Sequence, residues 1–66
     1  MDAKKIGKRL QALRGSRTQR EVAEAVGVTP MAISQYESGE RIPRDETKKA
    51  LAKYYKRTVN AIFFAD

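Results

Sequence analysis

Apolar residues recur every three to four positions along most of the chain, a period that is typical of α-helices. In the first such stretch, Ile6, Leu10 and Leu13 share one face. This pattern predicts a helix over residues 2–14. Gly15 follows the last periodic residue and is expected to end the helix.

A capping box predicts where the second helix begins. Thr18 is followed three residues later by Glu21, so each side chain can bind a backbone N–H group of the other. The helix is expected to cover Gln19 to Val26, with Val22, Ala23 and Val26 facing the core. Gly27 is expected to end it in a left-handed conformation.

The third predicted helix is short and has a well-marked start and end. Thr29 is an N-cap residue, and Pro30 occupies the first helical position, where a missing N–H group costs nothing. Gly39 ends the helix, which is therefore placed at residues 29–38, with Ile33 and Tyr36 facing the core.

Two further helices complete the predicted fold. Asp45 and Glu46 place negative charge in the first turn of a fourth helix that runs to about Tyr55. Thr58 caps a short fifth helix, Val59 to Phe64. The core residues expected from these two helices are Leu51, Tyr55, Ile62 and Phe63. No strand is predicted, so we expect an all-α fold and one domain over residues 1–66.

The second and third helices are separated only by Gly27 and Val28. A connection this short does not allow them to lie antiparallel, and it fits a helix-turn-helix crossing of roughly 90–120°. The small side chain of Ala23 would let the two helices approach closely, and Val28 would fill the corner. An ordinary helical hairpin is the alternative interpretation.

The charge of the chain restricts its partners. Fourteen Lys and Arg residues against eight Asp and Glu residues give a net charge of +6, which favours a polyanionic partner such as nucleic acid. The amphipathic first helix carries Lys4, Lys5 and Lys8 and could suggest a membrane surface, but its apolar face is better explained as core. No apolar run is long enough to span a membrane, so we expect a cytoplasmic protein without membrane contact.

Several kinds of chemistry are not expected. The chain contains neither Cys nor His, so we predict no disulfide and no metal site. It has no glycine-rich phosphate loop, and its adjacent carboxylates, Asp45 and Glu46, serve a helix N-terminus. We therefore predict no catalytic residue, no cofactor and no small-molecule ligand.

The segment "IGKRLQALR", followed by "TQREVAEAVGVTPMAISQYESGERIP", resembles the Cro/C1-type, or XRE-family, helix-turn-helix repressors of bacteria and their phages. The similarity extends from Ile6 to Phe63. The positions that match the family pattern are Gln19, Ala23, Gly27, Ile33, Glu37, Gly39 and Pro43. The resemblance implies a compact five-helix, lambda-repressor-like domain that binds near-palindromic operators in double-stranded DNA as a homodimer.

The chain departs from this family pattern at three places. The segment between Arg14 and Thr18 is shorter than usual, and Arg57 replaces an aliphatic residue. Pro30 and Met31 stand where relatives often carry polar side chains that read bases.

The third helix is the predicted recognition helix. With Ile33 at the centre of its buried face and a step of about 100° per residue, Met31, Gln35 and Ser38 lie on the opposite side. Gln can pair with adenine, and an apolar side chain can contact a thymine methyl group. The predicted base-reading residues are Thr29, Pro30, Met31, Ser34 and Gln35. A merely polar helix face is the alternative.

Phosphate contacts are expected around this helix. The candidates are Arg17, Gln19, Arg20, Ser38, Arg41 and Arg44. The resemblance assigns Gln19 to the family's phosphate-anchoring position, next to a helix N-terminus. For each Arg, an ordinary solvated surface position is the alternative.

Glu37 lies only about 40° from Ile33 on the same wheel, so its carboxylate should be close to the core and should need a partner. The family resemblance implies a buried Arg–Glu pair. Because Arg9 flanks the apolar face of the first helix, we predict a structural Arg9–Glu37 ion pair.

These observations favour a sequence-specific transcriptional regulator, in the simplest case a repressor. Self-association would use the fifth helix, with Phe63 and Phe64. The alternative from another class is an antitoxin-like module that binds a protein partner and its own promoter, for which Tyr54 and Phe64 would offer the apolar surface.

Overall fold

The computed structural model of the protein describes residues 1–65. The chain forms four α-helices, α1 (Ala3–Arg14), α2 (Gln19–Val26), α3 (Pro30–Ser38) and α4 (Asp45–Tyr55), followed by a π-helical segment, Asn60–Phe64. No strand occurs among the described residues. The all-α prediction is therefore confirmed, and the five helices begin and end within one residue of the predicted positions.

The predicted N-caps are present. The Thr18 hydroxyl accepts from the Glu21 backbone N–H group at 3.0 Å, and the Glu21 carboxylate accepts in return from the Thr18 N–H group. Thr29 caps α3 and Thr58 caps the last segment in the same way. Asp2 adds a cap that was not predicted, and its hydrogen bond from the Lys5 backbone N–H group lowers its pKa. These local bonds fix where each helix begins.

The turn between α2 and α3 has the predicted geometry. Gly27 is left-handed, with φ 77° and ψ 33°, a conformation that costs glycine little because it has no Cβ. The backbone N–H groups of Gly27 and Val28 both donate to the Ala23 carbonyl oxygen, and Val28 packs against the core. The chain thus passes directly from α2 into α3, as in a helix-turn-helix.

One hydrophobic core joins all five helical segments. Its buried apolar residues are Ile6, Leu10, Val22, Ala23, Ala32, Ile33, Tyr36, Leu51, Ala52, Tyr55, Ile62 and Phe63. Leu13 and Val26, which were predicted in the core, are half-buried at its edge. The chain is small, so this single cluster supplies most of the apolar burial that stabilises the fold.

Helices α1 and α3 pack closely against each other. Gly7 lies against the C-terminal half of α3, where a Cβ atom would come within 2.7 Å of the Tyr36 carbonyl oxygen and closer still to that of Glu37. Gly39, which ends α3, approaches Lys4 at the start of α1 less closely, and a Cβ atom there would lie 3.1 Å from the Lys4 Cα atom. The absence of side chains at these two points allows the two helix backbones to make direct contact.

Within residues 1–65, no helix is both long enough and apolar enough to cross a membrane. The same residues contain no group of three or more His, Cys, Asp or Glu side chains arranged to hold a metal ion.

Candidate nucleic-acid interface

The exposed face of α3 carries no charge. Ile33 and Tyr36 are buried, whereas Met31 is 70% exposed and is the largest exposed apolar side chain of this helix. Ser34 is exposed and Gln35 is half-buried, and the hydrogen bonds of the described residues leave the Gln35 side-chain amide available. The only charged residue of α3 is Glu37, which is buried. The helix therefore presents a small set of neutral donors, acceptors and apolar atoms.

The N-terminus of α3 is exposed and capped. The Thr29 hydroxyl accepts from the Ala32 N–H group at 3.1 Å, which leaves its own O–H group free to donate. Pro30 is exposed at the first helical position. An open cleft of about 520 Å³ begins here and separates the helix-turn-helix from the loop that follows α3. Arg41 and Arg44 form part of its wall.

Exposed basic residues lie on both flanks of α3. Arg20 is on the first turn of α2, and Arg44 immediately precedes α4. The Arg41 guanidinium lies 5.7 Å from the centre of the Tyr36 ring, which orients this otherwise exposed side chain. Ser38 is exposed, and its hydroxyl donates to the Gln35 carbonyl oxygen at 3.2 Å. Four of the predicted phosphate-binding residues are therefore accessible to a partner.

The other two predicted phosphate-binding residues make contacts within the protein. The Gln19 side-chain nitrogen donates to the Glu37 carboxylate at 3.1 Å. The Arg17 guanidinium donates to the carbonyl oxygens of Leu13 and Arg14 at the end of α1. Sequence reasoning placed both side chains beside the N-terminus of α2 but did not reveal these partners.

The predicted Arg9–Glu37 ion pair is wrong. Glu37 instead forms a bidentate pair with Arg14, whose Nε and Nη2 donate to the two carboxylate oxygens at 2.7 and 2.9 Å. Arg9 donates through Nη1 to the Ile62 carbonyl oxygen at 2.8 Å and so fastens α1 to the C-terminal segment. The physical reason lies in helix geometry. Arg9 and Arg14 lie on opposite edges of the apolar face of α1. Arg14 follows Gly7 by about two turns and so lies on the edge that faces α3, whereas Arg9 lies on the edge that faces Ile62.

The buried carboxylate of Glu37 is well compensated. Its side chain is 5% exposed, and it accepts three hydrogen bonds, two from Arg14 and one from Gln19. The hydrogen bond to Glu37 raises the pKa of Arg14. Within residues 1–65, every buried side-chain nitrogen or oxygen has a hydrogen-bond partner. This network joins α1, the N-terminus of α2 and α3, so the orientation of α3 depends on it.

Comparison with known proteins agrees with this architecture. The helix-turn-helix family matches residues 9–62, and the chain belongs to it, as a member of the Cro/C1-type class that its sequence resembles. The fold is similar to a crystal structure of the P22 c2 repressor protein in complex with synthetic operator 9T in the presence of Tl+, with a TM-score of 0.88 and 32% sequence identity. That match covers 92% of this chain and 96% of the repressor chain, and it confirms the lambda-repressor-like fold. No curated protein matches the chain.

Proposed function

We propose that this protein is a sequence-specific transcriptional repressor that binds double-stranded DNA as one helix-turn-helix domain and reads the major groove with residues 29–38. The observation that carries the proposal is an uncharged, exposed recognition helix between exposed arginines. The similarity to a repressor bound to its operator supports it. In this function the protein acts by binding and not by catalysis, and it acts where the DNA is, in the cytoplasm.

Sequence discrimination would come from the neutral face of α3. The Gln35 amide can donate to and accept from the edge of an adenine, and the exposed Met31 side chain can cover a thymine methyl group. Thr29, Pro30 and Ser34 border these two residues and would limit which bases fit beside them. Because the face carries no Lys or Arg, it adds little attraction that is independent of sequence.

Affinity would come from the flanks. Arg20, Arg41 and Arg44 are exposed cations that can neutralise phosphates on either side of the groove, and the Ser38 hydroxyl can accompany them. Gln19 lies at the positive end of α2, which favours a phosphate in that position. Its amide has one N–H group left after it donates to Glu37.

The proposal includes a homodimer on a near-palindromic operator. Phe64 is 57% exposed at the C-terminal end of the described residues, with the Lys48 ammonium nitrogen 5.4 Å from the centre of its ring. An exposed aromatic side chain at this point supports self-association through the C-terminal segment. The match to a repressor favours this function over the antitoxin-like alternative.

Selection of binding sites from random double-stranded DNA tests the proposal. We expect one motif to be enriched and to bind about 1,000-fold or more tightly than a scrambled sequence at physiological salt. A homodimer should enrich two inverted half-sites whose centres are about one helical turn apart. Equal affinity for selected and scrambled DNA would contradict the proposed function, whereas a single asymmetric motif would contradict only the homodimer.

A further inference from the structure

Arg14 and Arg17 both bind backbone carbonyl oxygens in or next to the short segment between α1 and α2. Arg14 donates through Nη1 to the Arg17 carbonyl oxygen at 2.7 Å. Arg17 donates through Nη2 to the Leu13 carbonyl oxygen at 2.8 Å and through Nε to the Arg14 carbonyl oxygen at 3.2 Å. The last carbonyl groups of a helix have no partner within it, so Arg17 satisfies acceptors that α1 leaves open. Each arginine thereby fixes the backbone of the other.

The same Arg17 guanidinium also attaches the segment to α4. Its central carbon lies 5.2 Å from the ring centres of both Tyr54 and Tyr55. The two rings meet edge to face at 5.1 Å, so they form a corner into which the cation fits. The N–H groups of the Arg17 guanidinium thus bind carbonyl oxygens of α1, while the same guanidinium packs against two aromatic rings of α4.

These Arg14 and Arg17 contacts connect directly to the proposed DNA interface. Gln19 follows Arg17 by two residues and donates to Glu37 at 3.1 Å. Arg14 donates to both oxygens of the Glu37 carboxylate, one of which also accepts from Gln19, and it donates to the Arg17 carbonyl oxygen as well. Arg17 therefore belongs to the same set of contacts that holds the first turn of α2 beside α3.

We propose that Arg17 is a positioning residue for DNA binding: it holds the N-terminus of α2, with Gln19, in place beside α3, and it does not neutralise a phosphate. The inference rests on the proposed DNA-binding function. To reach a phosphate, the guanidinium would have to leave two carbonyl oxygens and the aromatic corner. Arg20 is exposed on the first turn of α2, and among the described residues its side chain has no such partner to give up.

Salt titrations of operator binding separate a positioning role from a charge role. Arg17→Ala, Arg17→Lys and the matched control Arg20→Ala are compared with the parent at a temperature where circular dichroism shows each to be folded. Lys keeps the charge but cannot bind two carbonyl oxygens and stack in one plane. We expect both Arg17 variants to lose at least five-fold in affinity with an unchanged slope of log affinity against log salt. Arg20→Ala should flatten the slope by about 0.9.

Two outcomes of this titration would overturn the inference. One is a slope that Arg17→Ala flattens and Arg17→Lys restores, which is the behaviour of a phosphate ligand. The other is affinity that neither Arg17 variant changes. A double-mutant cycle tests whether Arg17 acts through Gln19. If it does, the double variant Arg17→Ala, Gln19→Ala should lose less binding free energy than the sum of the losses of the two single variants. Additive losses would show that Arg17 does not act through Gln19.

A measurement without DNA distinguishes failure of this inference from failure of the proposed function. In ¹⁵N-labelled protein, Arg17→Ala should shift the Gln19 side-chain amide signal toward that of Gln11, which is exposed on α1. A Gln19 amide signal that does not move would overturn the positioning role even if the parent binds its operator. A parent that binds no preferred DNA, with the Gln19 signal shifted as expected, would instead contradict the function and leave Arg17 holding Gln19 for another purpose.

Discussion

Arg14 and Glu37 meet in a bidentate ion pair that joins the end of α1 to α3, with nitrogen–oxygen distances of 2.7 and 2.9 Å. Because Gln19 donates to the same carboxylate, three helices converge on one buried charge. The pair is structural: its carboxylate is covered by protein, so any effect on DNA binding would come through the positions of α3 and Gln19.

Removing one member of this pair should destabilise the protein strongly. Arg14→Ala leaves a buried carboxylate without its cation, for which the expected loss is about 3–5 kcal/mol in the free energy of unfolding. Glu37→Gln should cause a loss of similar size. Urea unfolding of both single variants and of the double variant should give strong coupling.

Arg9 provides the matched control for this cycle. It donates to the Ile62 carbonyl oxygen and not to Glu37, so Arg9→Ala and Glu37→Gln should have additive effects. Additivity for the Arg14 and Glu37 cycle, or coupling in the Arg9 cycle, would contradict the partner assignment.

Gly7 should not tolerate even the smallest side chain. In an exposed helix interior, alanine is more favourable than glycine by about 1 kcal/mol. At Gly7 the added methyl group would collide with the backbone of α3, so we expect Gly7→Ala to lower the free energy of unfolding by about 1–3 kcal/mol. Lys8→Ala, at an exposed neighbouring position, should change it by about 0.5 kcal/mol or less. A stabilised Gly7→Ala variant would show that α1 and α3 are not in backbone contact.

The parts of the fold that were predictable from the sequence are those set by neighbouring residues. The Thr18 capping box and the left-handed Gly27 depend on contacts within a few positions, so local patterns identified both. The partner of Glu37 depends on how α1 crosses α3, and Gly7 sets that crossing. Periodicity alone does not choose between Arg9 and Arg14, because Arg9 precedes Leu13 and Arg14 follows Leu10 by the same four residues.

The candidate site was predictable to a smaller extent. The buried face centred on Ile33 follows from helical periodicity, and with it the exposure of Met31. The direction of a long side chain such as Arg17 does not follow, because the aromatic corner of Tyr54 and Tyr55 belongs to a helix far along the chain. The sequence pattern also does not predict the π-helical form of the last segment, because a π-helix differs from an α-helix only in which backbone groups pair.

Stability should fall at high pH because of Tyr55. Burial, together with the nearby Glu37 carboxylate, raises the pKa of this phenol from 10.0 to about 12. The folded protein thus holds the phenol proton more tightly than the unfolded chain. The resulting stabilisation is complete below pH 10 and is lost as the pH rises from 10 toward 12.

A comparison with Tyr55→Phe isolates this effect. The variant cannot ionise at this position, so its urea midpoint should fall less steeply than that of the parent between pH 10 and pH 12. Other titrating groups are common to both proteins and cancel in the comparison. Parallel midpoint curves for the two proteins would mean that Tyr55 ionises as easily in the folded chain as in the unfolded one.

Gln35 is expected to read a base. Gln35→Ala should lose about 1–3 kcal/mol of binding free energy on the selected operator, because an amide that pairs with a base edge is removed. Binding to scrambled DNA should hardly change. Gln11→Ala, which removes an exposed amide on α1, should affect neither DNA. Equal losses of Gln35→Ala on both DNAs would show that this residue contacts the backbone and not a base.

Affinity and specificity should be separable between the loop after α3 and the helix itself. Arg44 is exposed beside the cleft next to α3, whereas α3 contains no Lys or Arg. Each neutralised phosphate steepens the dependence of log affinity on log salt by about 0.9, so Arg44→Ala should flatten that slope by roughly one unit on every sequence. Met31→Ala should leave the slope unchanged and alter only the preference among sites, through loss of an apolar contact.

Both variants should retain the parent's helical content, because both side chains are exposed. The measurement is a pair of salt titrations for each variant, one on the selected operator and one on scrambled DNA. If Arg44→Ala left the slope untouched while Met31→Ala changed it, the groove-facing surface would have to be assigned to another part of the molecule.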